Sequence, residues 1–309
     1  MIHTFGYSPA TVAAIRWSRD HDIPLVIELV NTGATPYQYL PGLKRFSAYD
    51  LAHQSVIVAI SRDLGDLCQG LGLNENVWTR PNPVDTRKFE VSNNSDRLTA
   101  RHKISTASEN DILVVYVAKY LNRKKHSFLL EVLAKLPARF KLVLAGPALE
   151  DRDLVPGLKA DQIPMLKQRA NALGIGDRVE ITHGFVDMVE YLAAADVFCF
   201  PAQDEGMGTP LLEALSSGTP VVANADEPSF GEWIIDGENG YLAPLNAEQW
   251  ASAVQAAAEF GETQRKQISQ SVKARISSDV IDKQYLRLMN TLAETAPGQT
   301  VDVEQVLSS

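Results

Sequence analysis

Two glutamates and two glycines stand close together in the segment FPAQDEGMGTPLLEAL (200–215), directly after a predicted buried strand. Glu205 belongs to the loop, and Glu213 follows eight positions later in the first turn of a predicted helix. Ligands of open α/β sheets bind at the carboxyl ends of strands, and a helix N-terminus offers free N–H groups to an anion. The segment therefore predicts a site for an anionic ligand. The alternative is that Glu213 only complements the helix dipole and Glu205 is solvated, because a spaced pair of carboxylates is a weak motif.

The backbone of this loop is suited to close contact with a ligand. Gly206 and Gly208, on either side of Met207, carry no Cβ and let the chain approach a phosphate or a sugar. Thr209 before Pro210 fits an N-cap followed by the first helical residue, where the N–H that proline lacks is not needed. The helix is thus predicted to begin at the ligand.

Cations are concentrated in a second segment, VAKYLNRKKHSFLLEVL (117–133), at another predicted helix start. Lys119, Arg123, Lys124 and Lys125 all lie within this segment. Because cations at a helix N-terminus oppose the helix dipole, their placement indicates an anion nearby. A solvated basic turn is the alternative.

The elements that must position these segments follow from the hydrophobic pattern. Short β-branched runs alternate with amphipathic segments, which is typical of parallel sheets wrapped by helices, so the predicted fold class is α/β. The first series of strands is predicted near 1–5, 24–30, 55–60 and 76–80, with helices near 9–20 and 61–70. The second series is predicted at 111–118, 140–146, 178–182, 196–201 and 219–224. Runs such as ILVVYVA and VFCF show no polar alternation, as expected of strands buried on both faces of a parallel sheet.

The segment 81–96, with its prolines and polar residues, interrupts this pattern and predicts a linker. We assign residues 1–95 to a first, small α/β domain and residues 106–275 to a second. One long polar-faced helical stretch is predicted over 262–295. Residues 276–309 are expected to form a C-terminal helix and a disordered tail.

Composition and charge exclude several classes of protein. The 309 residues are 45% hydrophobic and 22% charged, unlike a disordered or fibrous chain. Residues 1–105 carry 11 Lys/Arg against 10 Asp/Glu, while 106–309 carry 18 against 28, which argues against a nucleic-acid-coating protein. With no apolar stretch of 18 residues, no signal-like start and only Cys68 and Cys199, we expect a soluble cytoplasmic protein without disulfides.

The first predicted strand begins at Met1 without a preceding turn, and a first domain of 95 residues is small for an α/β half. We expect either an abbreviated domain or one whose beginning is missing. An unpaired first strand is an exposed sheet edge, which leaves open an oligomer or a partner that covers the shortened domain.

Together these segments resemble the retaining glycosyltransferases of family four. FPAQDEGMGTPLLEAL looks like their Glu-x7-Glu signature, and 184–250 is similar to their donor domain in order and spacing, including the DGENGYL turn. PNPVDTRKF (81–89) resembles the segment that closes their first domain, and 117–133 resembles their diphosphate-binding segment. The resemblance covers about residues 55–290. It implies the GT-B fold, in which two Rossmann-like domains face a cleft, with an abbreviated acceptor-side first domain.

The resemblance implies a second domain that binds a nucleotide diphosphate sugar. Glu213 would hold the ribose hydroxyls, and Glu205 with backbone groups of its loop would contact the transferred sugar. Lys119 and Lys124 would neutralise the diphosphate leaving group, because preorganised cations stabilise the charge that develops there. The residues implied in donor binding are Glu213, Gly206, Met207, Gly208, Thr209, Pro210, Leu211 and Phe185, and those implied in catalysis are Glu205, Lys124 and Lys119.

Some positions depart from the family pattern or fit it loosely. Lys119 stands where the family usually has Arg, so a compact ammonium group replaces a planar guanidinium group. Asn31 and Thr32 stand where a His is frequent; they can hydrogen-bond an acceptor sugar but cannot serve as a base at neutral pH. Phe185 lies where the family's chain passes the nucleotide base, and a core aromatic is an equally good interpretation.

Asp151 and Asp153 have the Asp-x-Asp spacing by which glycosyltransferases of another fold hold a metal. They lie in the charged stretch ALEDRDLVPG, where a solvated loop is favoured. The six histidines show no metal-ligand spacing. We therefore expect no metal and no other cofactor, with the lysines and the helix N-terminus supplying the positive charge.

The predicted function is transfer of a hexose from a nucleotide diphosphate sugar to a hydroxyl acceptor, with retained anomeric configuration. The acceptor is a glycan, a lipid-linked sugar or a small molecule, and peripheral contact with the inner face of the membrane stays open. The alternative, prompted by the abrupt start at Met1, is a truncated or non-catalytic nucleotide-sugar-binding relative. A phosphorylase or an epimerase of the same fold is a further alternative.

Overall fold

The computed structural model describes residues 1–6, 9–30, 55–70, 75–148, 162–296 and 299–308. Its strands, in chain order, are β1 Ile2–Phe5, β2 Leu25–Leu29, β3 Ser55–Ala59, β4 Val77–Thr79, β5 Ile112–Val117, β6 Phe140–Gly146, β7 Val179–His183, β8 Val197–Phe200, β9 Val221–Asn224 and β10 Gly240–Ala243. Its helices are α1 Pro9–His21, α2 Arg62–Gly70, α3 Asn94–Ile104, α4 His126–Lys135, α5 Ile163–Ala172, α6 Met188–Ala194, α7 Thr209–Ser216, α8 Ala247–Ala258, α9 Glu262–Ile276, α10 Ser278–Glu294 and α11 Val303–Ser308. None of the helices in this part of the chain is both long enough and apolar enough to span a membrane.

The chain forms two compact units. The first consists of Met1–Val84, Asp204–Gly208 and Arg275–Ser309. The second consists of Asp85–Gln203 and Thr209–Ala274. The first unit is therefore assembled from segments that are far apart in sequence.

The first unit contains a parallel sheet in the order β1-β2-β3-β4. Every residue of β2 and of β3 is buried. Such full burial is expected of apolar runs in a parallel sheet, because both of their faces are covered.

The second unit contains a parallel sheet in the order β10-β9-β8-β5-β6-β7. Its central strands β8 and β9 are buried at every position, as their unbroken apolar runs predicted. The two sheets confirm the predicted α/β class, and each of the nine predicted strands is present. Strand β10 was missed, because GYLA is short and directly follows the turn residues DGEN.

The predicted single helix over 262–295 is wrong. The chain leaves the helical conformation at Ser277, and α9 and α10 lie on either side of it. There the backbone bonds to Val84 instead: Val84 N–H donates to the Ile276 carbonyl at 2.8 Å, and Ser278 N–H donates to the Val84 carbonyl at 2.9 Å. These tertiary hydrogen bonds outweigh the helical propensity of the stretch.

The expectation of a disordered tail is also wrong, and residues 276–309 do not form a separate part of the molecule. Ile281, Leu288 and Leu292 share one face of α10 and are buried against the first sheet. Val301 and Val303 are buried in the same cluster, and α11 follows them. The apolar residues of the last segment thus complete the core of the first unit.

A buried carboxylate also links α10 to the first sheet. Glu28 in β2 accepts hydrogen bonds from the Tyr285 hydroxyl at 2.8 Å and from Arg80 Nη2 at 3.1 Å, and His3 Nε2 lies 3.1 Å from the same carboxylate. Glu28 and Arg80 are only 5% and 7% exposed. The Arg80 guanidinium further lies 5.5 Å from the ring centre of Trp78. Each charge in this cluster thus depends on its partner, since a buried ion is stable only when it is paired.

Replacing Glu28 with alanine leaves Arg80 as an uncompensated buried charge. We expect Glu28→Ala to lower the free energy of unfolding by about 3–5 kcal/mol, measured by urea denaturation. The control Asp20→Ala removes the exposed Arg19–Asp20 ion pair, whose side chains are 46% and 54% exposed, and should cost less than about 1 kcal/mol. Equal losses in the two variants would contradict this account.

Candidate functional site

The second sheet reverses its strand order at β5. From β5 the chain adds β6 and β7 on one side and then β8, β9 and β10 on the other, so β5 and β8 are neighbours although they are far apart in sequence. Ligands of such sheets bind at the carboxyl ends of the strands, at the point where the order reverses. The segments that follow β5 and β8 are therefore the candidate binding elements.

The cationic segment, defined as residues 119–125, follows β5. Lys124 N–H donates to the Leu121 carbonyl at 2.9 Å, and Lys125 N–H donates to the Asn122 carbonyl at 3.2 Å, which gives a 3₁₀ turn. Lys125 has a φ of 56°, a left-handed conformation that costs a non-glycine residue roughly 1–2 kcal/mol. Strained backbone of this kind is frequent at functional sites. Here the strained residue, Lys125, ends the turn that contains Arg123 and Lys124.

Strand β6 ends against the cationic segment at Gly146. This residue has a φ of 146°, and a Cβ there would lie 2.1 Å from the carbonyl oxygen of Ala118. Glycine permits this close approach of two backbones because it has no Cβ. Tyr120 N–H also donates to the Pro147 carbonyl at 3.0 Å. The backbone on either side of Lys119 is thus fixed by the end of β6.

The segment after β8 is bonded to the cationic segment. Gln203 N–H donates to the Arg123 carbonyl at 2.8 Å, and Arg123 Nη1 lies 3.5 Å from the Gln203 carbonyl oxygen. Lys124 Nζ lies 5.5 Å from the centre of the Phe200 ring, and the Tyr116 hydroxyl donates to the Lys124 carbonyl at 2.8 Å. The structure therefore brings Arg123 and Lys124 to the end of β8.

The loop between β8 and α7 has the tight backbone that its glycines suggested. Asp204 and Gly208 both have left-handed φ values, 56° and 75°. The two glycines and Met207 are buried, and Glu205 is half-buried. Helix α7 begins at Thr209, as predicted. A helix N-terminus thus follows directly on the buried glycines, and helix N-termini are suited to binding anions.

Glu213 lies within α7 and is half-buried. Burial raises the pKa of its carboxyl from the ordinary value to about 7. The Glu213 carboxyl therefore holds its proton to a higher pH than an ordinary glutamate, and a ligand that donates hydrogen bonds to the carboxylate would favour its charged form.

Because burial raises the pKa of the Glu213 carboxyl from 4.5 to about 7 on folding, its ionisation destabilises the fold progressively as pH rises from about 4.5 to about 7, and the full effect is present above pH 7. We expect Glu213→Gln to unfold at a higher temperature than the parent at pH 8, with a gain of about 1–2 kcal/mol, and to show little gain at about pH 4. Thermal unfolding at the two pH values measures this. The control Glu262→Gln replaces an exposed carboxyl whose pKa is lowered by its hydrogen bond to Lys266, so it should give no gain at pH 8. A gain in Glu213→Gln that is independent of pH would contradict the assignment.

The remaining sequence-predicted residues have different outcomes. Phe185 is 95% exposed in the loop after β7, so its interpretation as a core aromatic is wrong. Asn31 and Thr32 lie outside the described residues, as do Asp151 and Asp153. Among the described residues, no three His, Cys, Asp or Glu side chains are grouped closely enough to hold a metal ion.

Sequence reasoning missed three residues that pack against the cationic segment: Tyr116, Phe200 and His126. His126 is 1% exposed, and its ring lies 4.8 Å from that of Tyr116. Burial lowers the pKa of His126 to about 3, so the ring is neutral. One signal was available, because a Tyr within a buried strand needs a hydrogen-bond partner for its hydroxyl.

Comparison with known proteins identifies the class. The profile of the family described as "Glycosyl transferases group 1" matches residues 99–274, which is more than half of the chain. The chain belongs to this family. The lipopolysaccharide core biosynthesis glycosyltransferase LpsE of Rhizobium meliloti (strain 1021) is 30% identical over 197 residues, or 61% of this chain and 52% of LpsE. The matched region thus spans about half the length of that curated relative.

Solved structures show the same fold. Anabaena HepE, crystallised with UDP and glucose, is 21% identical with a TM-score of 0.76, covering 94% of this chain and 78% of HepE. Sucrose-phosphate synthase from Thermosynechococcus elongatus is also 21% identical with a TM-score of 0.76, covering 96% of this chain and 74% of that enzyme. The likeness confirms the predicted GT-B fold with two Rossmann-like units.

Proposed function

We propose that the chain is a retaining hexosyltransferase that takes its sugar from a nucleotide diphosphate sugar and needs no metal ion. The observation that carries this proposal is the bond between Gln203 N–H and the Arg123 carbonyl, which joins the cationic segment to the loop preceding α7. Cations and free helix N–H groups are what a diphosphate requires, and the strand order reverses at the same place. Membership of the glycosyltransferase family supports the same chemistry.

In this proposal the donor is held by its nucleotide and its diphosphate. Lys119 and Lys124 neutralise the diphosphate, and the backbone N–H groups of Thr209 and Leu211, on either side of Pro210, donate to its distal phosphate. The Glu213 carboxylate accepts hydrogen bonds from the ribose hydroxyls. Phe185, which is 95% exposed, offers a ring to the nucleotide base.

The reaction exchanges one C–O bond for another. The bond between the anomeric carbon and the distal phosphate oxygen breaks, and the acceptor hydroxyl oxygen bonds to the same face of that carbon. The departing phosphate oxygen takes the acceptor's proton, so the step requires no histidine. Glu205, with backbone groups of Gly206, Met207 and Gly208, contacts the sugar as it becomes oxocarbenium-like, and the lysines stabilise the leaving diphosphate.

The acceptor in this proposal is a hydroxyl of a glycan or glycoconjugate, with Asn31 and Thr32 as its hydrogen-bonding residues. LpsE is named for lipopolysaccharide core biosynthesis, which favours a lipid-linked acceptor and peripheral contact with the inner face of the membrane. The free, buried thiols of Cys68 and Cys199 fit a reducing, cytoplasmic compartment.

Glu205→Ala removes the carboxylate closest to the proposed reaction. We expect the turnover number to fall at least about 100-fold, measured as release of nucleoside diphosphate in the presence of donor and acceptor. Glu259→Ala, which removes a carboxylate that is 75% exposed, is the matched control and should keep the parental rate. A Glu205→Ala protein with parental turnover would remove the proposed role of this loop.

Donor binding is tested separately from turnover by thermal shift with uridine, guanosine and adenosine diphosphates and their sugars. At a ligand concentration of a hundred times the dissociation constant, we expect one nucleotide to stabilise the protein by about 2.7 kcal/mol. No shift with any of them would contradict the donor site. Binding without release of nucleoside diphosphate, across a panel of sugar acceptors, would instead define a donor-binding protein without transfer activity.

Chelation tests the metal independence of the reaction. Because lysines and helix N–H groups supply the positive charge in this proposal, excess EDTA should leave turnover unchanged. Loss of turnover on chelation, restored by added Mg²⁺ or Mn²⁺, would overturn this part of the proposal.

A further inference from the structure

Two aromatic side chains on neighbouring strands contact opposite ends of one lysine. Tyr116, next to last in β5, is fully buried, and its hydroxyl donates to the backbone carbonyl of Lys124 at 2.8 Å. Phe200, the last residue of β8, is also fully buried, and its ring centre lies 5.5 Å from Lys124 Nζ. The two rings meet edge-on, with their centres 6.0 Å apart. The backbone and the ammonium group of Lys124 are thus both held by side chains from the core of the sheet.

The surroundings of this pair keep it in place without adding charge. The His126 ring lies 4.8 Å from the Tyr116 ring and 4.5 Å from the Tyr120 ring. Phe230 packs against Phe200 with ring centres 5.1 Å apart. Because burial keeps His126 neutral, it adds no positive charge beside Lys124.

We propose that Tyr116 and Phe200 are positioning residues, which fix the Lys124 ammonium group where the diphosphate of the donor binds. This inference rests on the proposed function, because that function gives Lys124 its ligand. A free lysine side chain has many rotamers and loses this freedom when it binds an anion. A lysine whose backbone and ammonium group are already held loses less side-chain conformational entropy on binding. It therefore binds the diphosphate more tightly.

Tyr116→Phe tests the hydroxyl alone, and Tyr285→Phe is its control. Tyr285 belongs to the first unit, outside both candidate binding segments, and its hydroxyl donates to Glu28 at 2.8 Å. Calorimetry compares a nucleoside diphosphate that stabilises the parent with its monophosphate. We expect Tyr116→Phe to weaken diphosphate binding about three- to tenfold with monophosphate binding unchanged, and Tyr285→Phe to change neither.

A double-mutant cycle tests whether Tyr116 acts through the lysine. In a Lys124→Ala background, Tyr116→Phe should cause no further loss of diphosphate affinity, because the group that it positions is absent. An equal loss in both backgrounds, or a loss shared by the monophosphate, would overturn the proposal in favour of a purely structural role.

Phe200→Leu tests the contact with the Lys124 ammonium group. This variant also keeps the proposal testable if Tyr116→Phe fails to fold. It removes the ring beside the ammonium group, and we expect the same selective loss of diphosphate affinity. A parental ratio of diphosphate to monophosphate affinity in Phe200→Leu would overturn the role of this ring. If the parent protein binds no nucleoside diphosphate, the proposed function and this inference are overturned together. If the parent binds a nucleoside diphosphate and every variant keeps the parental ratio of diphosphate to monophosphate affinity, this inference alone is overturned.

Discussion

The pairing of β5 with β8 is the contact on which the candidate site depends. Val114 pairs with Val197 and Val115 with Phe198, and this register lets Gln203 bond to the Arg123 carbonyl beyond the strand ends. A slip of one residue would turn every side chain of β8 to the opposite face of the sheet. Because all of β8 is buried and apolar, such a slip would change the buried apolar area little. The register must therefore depend on how the side chains fit together and on the packing of the aromatic rings.

The same packing accounts for the electrostatics of the site. The rings of Tyr116, Phe200 and His126 exclude water from the core side of the cationic segment, and none of them carries a charge. Charges next to a water-poor, apolar region interact more strongly than charges in bulk water. In the proposed function, the apolar packing behind Lys124 therefore strengthens the interaction of its ammonium group with the diphosphate.

Local patterns were sufficient for β1 to β9, the start of α7 and the cluster of cations, because each depends on neighbouring residues and their spacing. The break at Ser277 was not predictable, since its cause is a hydrogen-bonded partner, Val84, nearly two hundred residues away. The bond from Tyr116 to Lys124 and the raised pKa of Glu213 likewise depend on tertiary burial. The sequence thus pointed to the charged groups of the candidate site but not to the core residues that pack against them.

The return of α10 and α11 to the first sheet has a consequence for biosynthesis. Domains generally fold in the order in which they leave the ribosome. Here the first unit needs residues 275–309 to complete its core, whereas the second unit ends at Ala274. The second unit can therefore fold before residues 275–309 have been made, whereas the first sheet keeps an apolar face uncovered until those residues are available. Of the two units, the one that contains residues 1–84 thus becomes native second, and it is the one for which chaperones would be needed more.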